Sequence, residues 1–314
     1  MGRRRKKGRP VNGWIVLDKD YDVGSTDAVS KLKWLLQAQK AGHAGTLDPL
    51  ATGVLPIAFG EATKTVPYLT DAPKTYLFTA KWGVSTTTDD AEGTACATSD
   101  ARPTAAEIAS VLPQFTGAIE QIPPKFSAVK VAGERAYDLA REGEEVELKA
   151  RVIDIHELRL VDAPDRDHAV FEAVTGKGAY VRALVRDMAK ALGTEGHVSS
   201  LRRTAVGPFT EQDGVKTADL EDMGSPEARD AALLPVDAAL SCLPQASIGG
   251  PEASRLRQGQ PAVLSPAAAR GVRAGEAGEI PSVLAVANGA PVAICALDGL
   301  KLQPVRVFNL SEQG

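Results

Sequence analysis

The chain has 314 residues, about twice an ordinary single domain, with 44% hydrophobic and 24% charged residues. That balance belongs to a globular protein and excludes a collagen, a coiled coil and a wholly disordered chain. No apolar run reaches the ~18–20 residues of a membrane helix, and the basic start lacks the apolar stretch of a secretory signal, so a cytoplasmic protein is expected.

Charge is unevenly spread. Of 36 Lys and Arg against 40 Asp and Glu, the six bases Arg3, Arg4, Arg5, Lys6, Lys7 and Arg9 precede Pro10 with no acid among them. A basic arm over residues 1–9 on an acidic body either adds phosphate contacts or keeps a terminus soluble. Cys96, Cys242 and Cys295 lie far apart without a CxxC, so neither a disulfide framework nor a zinc site is indicated.

Trp14–Asp18 reads as a short buried strand. Ser25 or Thr26 then offers an N-cap for a helix to about Gln39, with Ala28, Val29, Leu32, Leu35 and Leu36 on one face. Glycines and prolines punctuate 41–56 so often that a shaped loop is expected there. Thr75–Trp82 is strand-like and is followed by an acidic turn, Thr88–Gly93. Thr104 and Glu107 form a capping-box pattern opening a helix to about Gln114. Further strands are expected at Phe126–Val131, Arg151–Leu160 and Ala169–Thr175, with a short helix near 134–142.

A helix from Tyr180 to Leu192 packs through Val181, Leu184, Val185, Met188 and Leu192, while Arg182, Arg186 and Lys190 line an adjacent flank; Gly193 is its terminator. The stretch from Thr217 to Ala239 reads as helical and acidic. Composition shifts after Leu243 to Gly, Pro, Ala and Val, and Asn288-Gly289 between two apolar runs signals a hairpin. Residues 266–279 read as a loop. The expected organisation is α+β: an arm over 1–9, a main domain over 10–242 built on an extended mixed or antiparallel sheet, and a small β-rich domain over 243–314.

The densest constraint is the run Gly42–Gly53, GHAGTLDPLATG, which sets one carboxylate, Asp48, and one imidazole, His43, in an otherwise uncharged loop. Such a carboxylate serves as nucleophile, general base or metal ligand, or it simply caps a turn. HExxH, GxxxxGK[ST], GxSxG and EF-hand patterns are absent, and the four histidines have no ligand spacing, so neither metal nor nucleotide cofactor is expected. The glycine turn around Lys177 is a weak phosphate-binding signal.

The run continuing to Pro56 resembles the signature of the TruB family, bacterial tRNA pseudouridine-55 synthases. Val16–Lys19, Gly60–Lys64, Lys74–Tyr76, Gln121–Pro124, Phe126–Lys130, Gly178–Arg182 and His197–Arg203 match in the family's order over roughly residues 10–210. The resemblance implies a pseudouridine-synthase-type catalytic domain and a cofactor-free isomerisation of a T-loop uridine in the T arm of tRNA. Asp48 is then the catalytic carboxylate, Arg182 its catalytic partner, and Tyr76 both the ring stacked on the flipped base and a catalytic group acting on a proton during rearomatisation. Tyr180 and Leu201 line the base pocket, His43 enters the T loop, and Lys19 and Lys64 support the site or phosphates. The chain departs from the family where Pro and Gly usually follow Asp18-Lys19, since Asp20 and Asp22 stand there. The acidic body requires cations gathered on one face, with the arm, Arg182, Arg186, Arg202 and Arg203 as candidates. A monomer is expected. A non-catalytic tRNA-binding or RNA-folding protein and a nucleoside hydrolase-like enzyme are the alternatives.

Overall fold

The computed structural model describes residues 8–127, 130–131, 134–135, 148–273 and 279–310. Among these a ten-stranded mixed sheet runs in the order Gly214–Val215, Gly13–Lys19, Thr52–Phe59, Gly196–Val206, Lys74–Trp82, His168–Thr175, Arg151–Asp162 and Gly117–Gln121. Ala41–His43 and Phe209–Thr210 are attached to its side. Neighbours are antiparallel except at two places: Gly13–Lys19 beside Gly214–Val215, and Thr52–Phe59 beside Gly196–Val206.

The sheet is covered on both faces at Gly13–Lys19 and Thr52–Phe59, which is why these strands are apolar at consecutive positions. His168–Thr175 buries only alternate residues, and Arg151–Asp162 is mostly exposed. Ile15, Leu17, Leu55, Ile57, Phe78 and Leu201 meet helices Ser25–Leu35 and Val181–Ala191 in the larger core. Trp14, Val16, Val54, Ala58 and Phe209 join a second cluster with Val236, Leu240, Leu284, Ile294 and Phe308. That cluster welds the main sheet to a separate five-stranded sheet, Gln245–Ser247, Ile280–Ala287, Ala290–Asp298, Lys301–Val307 and Ala262–Val263. The hairpin at Asn288-Gly289 is present, with φ of 51° and 75° as a type I′ turn requires.

Several local expectations are corrected. The glycine-rich run 41–56 is not all loop, because Ala41–His43 and Thr52–Phe59 are strands and only 44–51 is irregular. The first helix stops at Leu35 rather than Gln39, since Gln37 turns to φ 51° and Ala38 bridges to Arg9. Gly24 is its N-cap, the Ser25 hydroxyl being engaged by Leu47 instead. The expected helix over 217–239 is Thr217–Asp222 followed by two 3-10 turns, Ala228–Ala232 and Val236–Leu240, broken where Pro235 intervenes. Pro266–Arg273 is a helix, not a loop, with proline at its permissive start.

Thr104 does form the capping box with Glu107, opening Ala105–Val111. Of the strand expected at Phe126–Val131, Lys130–Val131 pairs with Glu134–Arg135, where a helix was expected to begin; the rest of 134–142 lies outside the described residues. Among the described residues, no helix is long and apolar enough to cross a membrane.

Candidate active site

One register row crosses the main sheet through Lys19, Gly53, Arg203, Tyr76 and Ala173. Laterally paired residues share a face. Leu17, Leu55, Leu201 and Phe78, two positions along their strands, belong to the larger core, so Lys19, Arg203 and Tyr76 rise on that same face. The row is close-packed at Gly53, whose φ is +97° and where a Cβ would come within 2.3 Å of the Arg203 carbonyl.

Over this row sits the irregular segment that carries Asp48, and its backbone is held by buried side chains. Arg203, 1% exposed, donates through Nε to the Val54 carbonyl at 2.8 Å and through its two terminal nitrogens to Thr46 and Gly45 at 3.3 and 3.2 Å. Ser25 Oγ donates to the Leu47 carbonyl at 2.7 Å and accepts from the Leu47 amide at 2.9 Å. Lys19 Nζ donates to the carbonyls of Asp20, Val23 and Pro49 at 2.9, 2.8 and 3.1 Å. The main chain on both sides of Asp48 is thus fixed by buried side chains that cannot move without leaving main-chain carbonyls, the buried Leu47 and Val54 among them, without a donor.

The Asp48 carboxylate, about one-third exposed, lies 2.9 Å from Arg182 Nη2. Arg182 is itself buried and makes three further contacts: Thr88 carbonyl at 3.1 Å, Phe126 carbonyl at 2.9 Å and Asp90 carboxylate at 3.4 Å. A guanidinium held by three other groups fixes and aims the carboxylate opposite it, which suits a nucleophile or base.

The surrounding groups feel this charge arrangement. Burial brings Lys19 down to about 8, with Asp48 opposing. Burial, and then the nearby Arg203, push His43 down. Burial pushes the Tyr180 phenol up, with the Ser127 hydroxyl opposing and Asp48 adding to the rise. Burial and then Asp90 and Asp48 push Glu92 up, marking an acidic rim that also includes Asp22.

The structure brings Asp48, Arg182 and Lys19 together. Tyr76 is in the row beneath, and Leu201 stands opposite Phe78 one step along. Tyr180 is the residue just before helix Val181–Ala191, its amide and carbonyl both bound by the Gln121 side chain at 2.9 and 3.2 Å. His43 lies on Ala41–His43 opposite Ile57, half-buried, with Nδ1 unpartnered. Lys64 is placed elsewhere: its Nζ bonds Glu61 at 2.6 Å and the Val307 carbonyl at 2.7 Å, joining the two sheets' units.

The expected cationic face is not assembled from the internal arginines. Arg182 and Arg203 are buried, Arg186 pairs with Asp89 and Asp187, and Arg202 pairs with Asp18 and Glu211. Lys177 pairs with Asp71 at 2.7 Å. What sequence reading missed is the role of four residues: Asp90 on Arg182, Gln121 on the Tyr180 backbone, Ser25 on Leu47 and Arg203 as a brace; the acidic turn Thr88–Gly93 was the visible signal for Asp90. The departures at Asp20 and Asp22 are accommodated. Asp20 binds Lys216 at 2.7 Å, and Asp22 adopts φ 60°, the left-handed conformation a glycine would take, with its amide on the Pro49 carbonyl at 2.9 Å. Among the described residues no three His, Cys, Asp or Glu side chains gather as a metal-binding set.

Residues 33–181 match the model of the TruB family pseudouridylate synthase N-terminal domain, and residues 182–241 that of the tRNA pseudouridylate synthase B C-terminal domain. The chain is 52% identical over 312 residues to tRNA pseudouridine synthase B of Caulobacter vibrioides, covering 98% of this chain and 99% of that one. It is 51% identical over 331 residues to the protein of the same name from Mesorhizobium japonicum, with 98% and 99% covered. It therefore belongs to the TruB family.

In fold it is similar to a chain of an H/ACA RNP bound to a substrate RNA containing 2′-deoxyuridine, with TM-score 0.72, 21% identity, and 99% and 92% of the two chains covered. It is also similar to a chain of the archaeal box H/ACA sRNP Nop10-Cbf5 complex, with TM-score 0.70, 22% identity, and 98% and 92% covered. The expected pseudouridine-synthase fold with a β-rich C-terminal sheet is thus borne out.

Proposed function

We infer that this chain isomerises the T-loop uridine at position 55 of tRNA to pseudouridine, with Asp48 as the catalytic carboxylate acting on a flipped-out base. The relatives named tRNA pseudouridine synthase B support tRNA as the substrate. The observation that carries the reading is the ion pair of Asp48 with a buried, four-fold anchored Arg182.

In the reaction the N1–C1′ bond breaks, the base turns, C5 joins C1′, the C5 proton leaves and N1 gains one. Nothing is added or lost overall. Asp48 stabilises or attacks the fragment formed when the glycosidic bond opens, aimed by its ion pair with Arg182. Tyr76 stacks on the extruded base, replacing about 1–3 kcal/mol of lost stacking, and Tyr180 and Leu201 wall the pocket. His43 enters the T loop. Lys19 braces the Asp48 segment, and Lys64 fastens the β-rich unit over 243–314, which contacts RNA beside the catalytic unit over 10–242. The enzyme works as a cytoplasmic monomer on the T arm, and the basic arm speeds encounter.

The test is mapping of tRNA after incubation with the purified protein. Pseudouridine at position 55 without mass change is expected, and Asp48→Asn should abolish it while tRNA affinity stays within a few-fold. Turnover by that variant would overturn the role of Asp48; free uracil in the supernatant would mark a hydrolase, and bound but unaltered tRNA a binding protein.

A further inference from the structure

Arg186 lies four residues after Arg182 on helix Val181–Ala191, so the two guanidinium groups project from one flank a turn apart. They grip consecutive residues of the same turn. Arg182 takes the Thr88 carbonyl and the Asp90 carboxylate, while Arg186 Nη1 lies 3.0 Å from the carboxylate of Asp89 between them. They also grip the same second segment, Arg186 through the Ile122 carbonyl at 2.7 Å and Arg182 through the Phe126 carbonyl at 2.9 Å.

Asp89 is an unusual place for an ion pair to be spent. Its φ is +62°, a strained conformation for a residue with a side chain, and its carbonyl accepts from the Val198 amide at 3.1 Å. The residue is pinned from the sheet on one side and from the helix on the other. Both side chains of the pair are mostly buried, at 18% and 15% exposed, so water screens their attraction less than at an open surface. Neither contacts Asp48. What they share with it is Arg182, whose position depends on the turn that Asp89 holds.

Building on the reading of Asp48 above, we propose that Arg186 and Asp89 are positioning residues for the isomerisation: their ion pair clamps the 88–90 turn against the helix so that Asp90 and the Thr88 carbonyl hold Arg182 at Asp48. The clamp acts on the chemical step through geometry and leaves tRNA binding alone. A merely structural pair would alter melting without altering the rate of the folded enzyme.

The experiment is a double-variant cycle on the full chain, measured as single-turnover pseudouridine formation on a tRNA transcript, with transcript Kd determined in parallel. Arg186→Gln and Asp89→Asn are each expected to slow the step about tenfold with Kd within twofold. The double variant should lose about tenfold as well, since both singles break one device. Arg186→Lys, which keeps a cation facing Asp89, should recover at least a third of the parent rate.

Single-variant rates within twofold of the parent, a hundredfold loss in the double variant, or a loss confined to Kd would each overturn the proposal. If Arg186→Gln fails to melt cooperatively, Asp89→Asn and Arg186→Lys decide by the same rate criteria. Failure of the underlying reading would look different, because the parent protein itself would leave the uridine unconverted.

Discussion

Arg203 Nε reaches the Val54 carbonyl at the point where Thr52–Phe59 has left its two-residue pairing with Gly196–Val206 and has not yet met Ala41–His43. A side chain there stands in for the missing rung of a sheet. The same guanidinium carries the carbonyls of Gly45 and Thr46, so one planar fork closes both ends of the Asp48 segment.

This makes Arg203 a brace rather than an RNA contact. Arg203→Met should destabilise the protein by about 3 kcal/mol, since the buried Val54 carbonyl and the part-buried carbonyls of Gly45 and Thr46 lose their donor. Arg203→Lys should recover only part of that, because an ammonium lacks the fork. Urea unfolding measures both, and a loss below ~1 kcal/mol in Arg203→Met would refute the bracing role.

Lys19 and Lys74 are buried cations satisfied by carbonyls, Lys74 on Leu69, Thr70 and Ala72. Burial lowers each to about 8, against an ordinary 10.5. Below pH 8 both are charged whether folded or not, and the folded state bears the full desolvation cost. Between pH 8 and 10.5 the unfolded chain binds the proton that the folded one has released, so this contribution to stability rises with pH. Each lysine accounts for up to about 3 kcal/mol of that rise. Denaturant unfolding from pH 7 to 10.5 should show a steeper upward slope for the parent than for Lys19→Met or Lys74→Met; parallel curves would contradict the assignment.

Asp22 occupies a glycine conformation beside the acidic rim of Glu92 and Asp48. Asp22→Gly relieves the backbone and removes a like charge, and is expected to stabilise the fold by up to about 1 kcal/mol. A lowered melting temperature would show that the Asp22 side chain supplies something the backbone does not.

Much of the site could be read from residue order because its chemistry sits on short, dense runs. Asp48 stood out as the lone carboxylate of a glycine-rich stretch, and Arg182 as a helix cation whose segment matched the family. What could not be read was which charges face inward. Arg182, Arg186 and Lys190 look alike on a helical projection, yet the first is 6% and the last 70% exposed at the side chain, because the turn Thr88–Asp90 packs over only part of the flank. Arg203 was hidden for the same reason: only the register that sets it opposite Gly53 tells a brace from a surface cation. The strand Thr52–Phe59 was obscured by Gly53 and Pro56, whose costs are absorbed by tight pairing and by a gap in the ladder.

The second buried cluster carries a lesson for anyone wishing to dissect this enzyme. Leu284, Ile294 and Phe308 shelter the underside of the strand bearing Trp14, whose opposite surface leads directly to Lys19. Cutting the polypeptide near 242 would leave an indole-bearing floor wetted by solvent, and the Asp48 segment would inherit the resulting disorder from below.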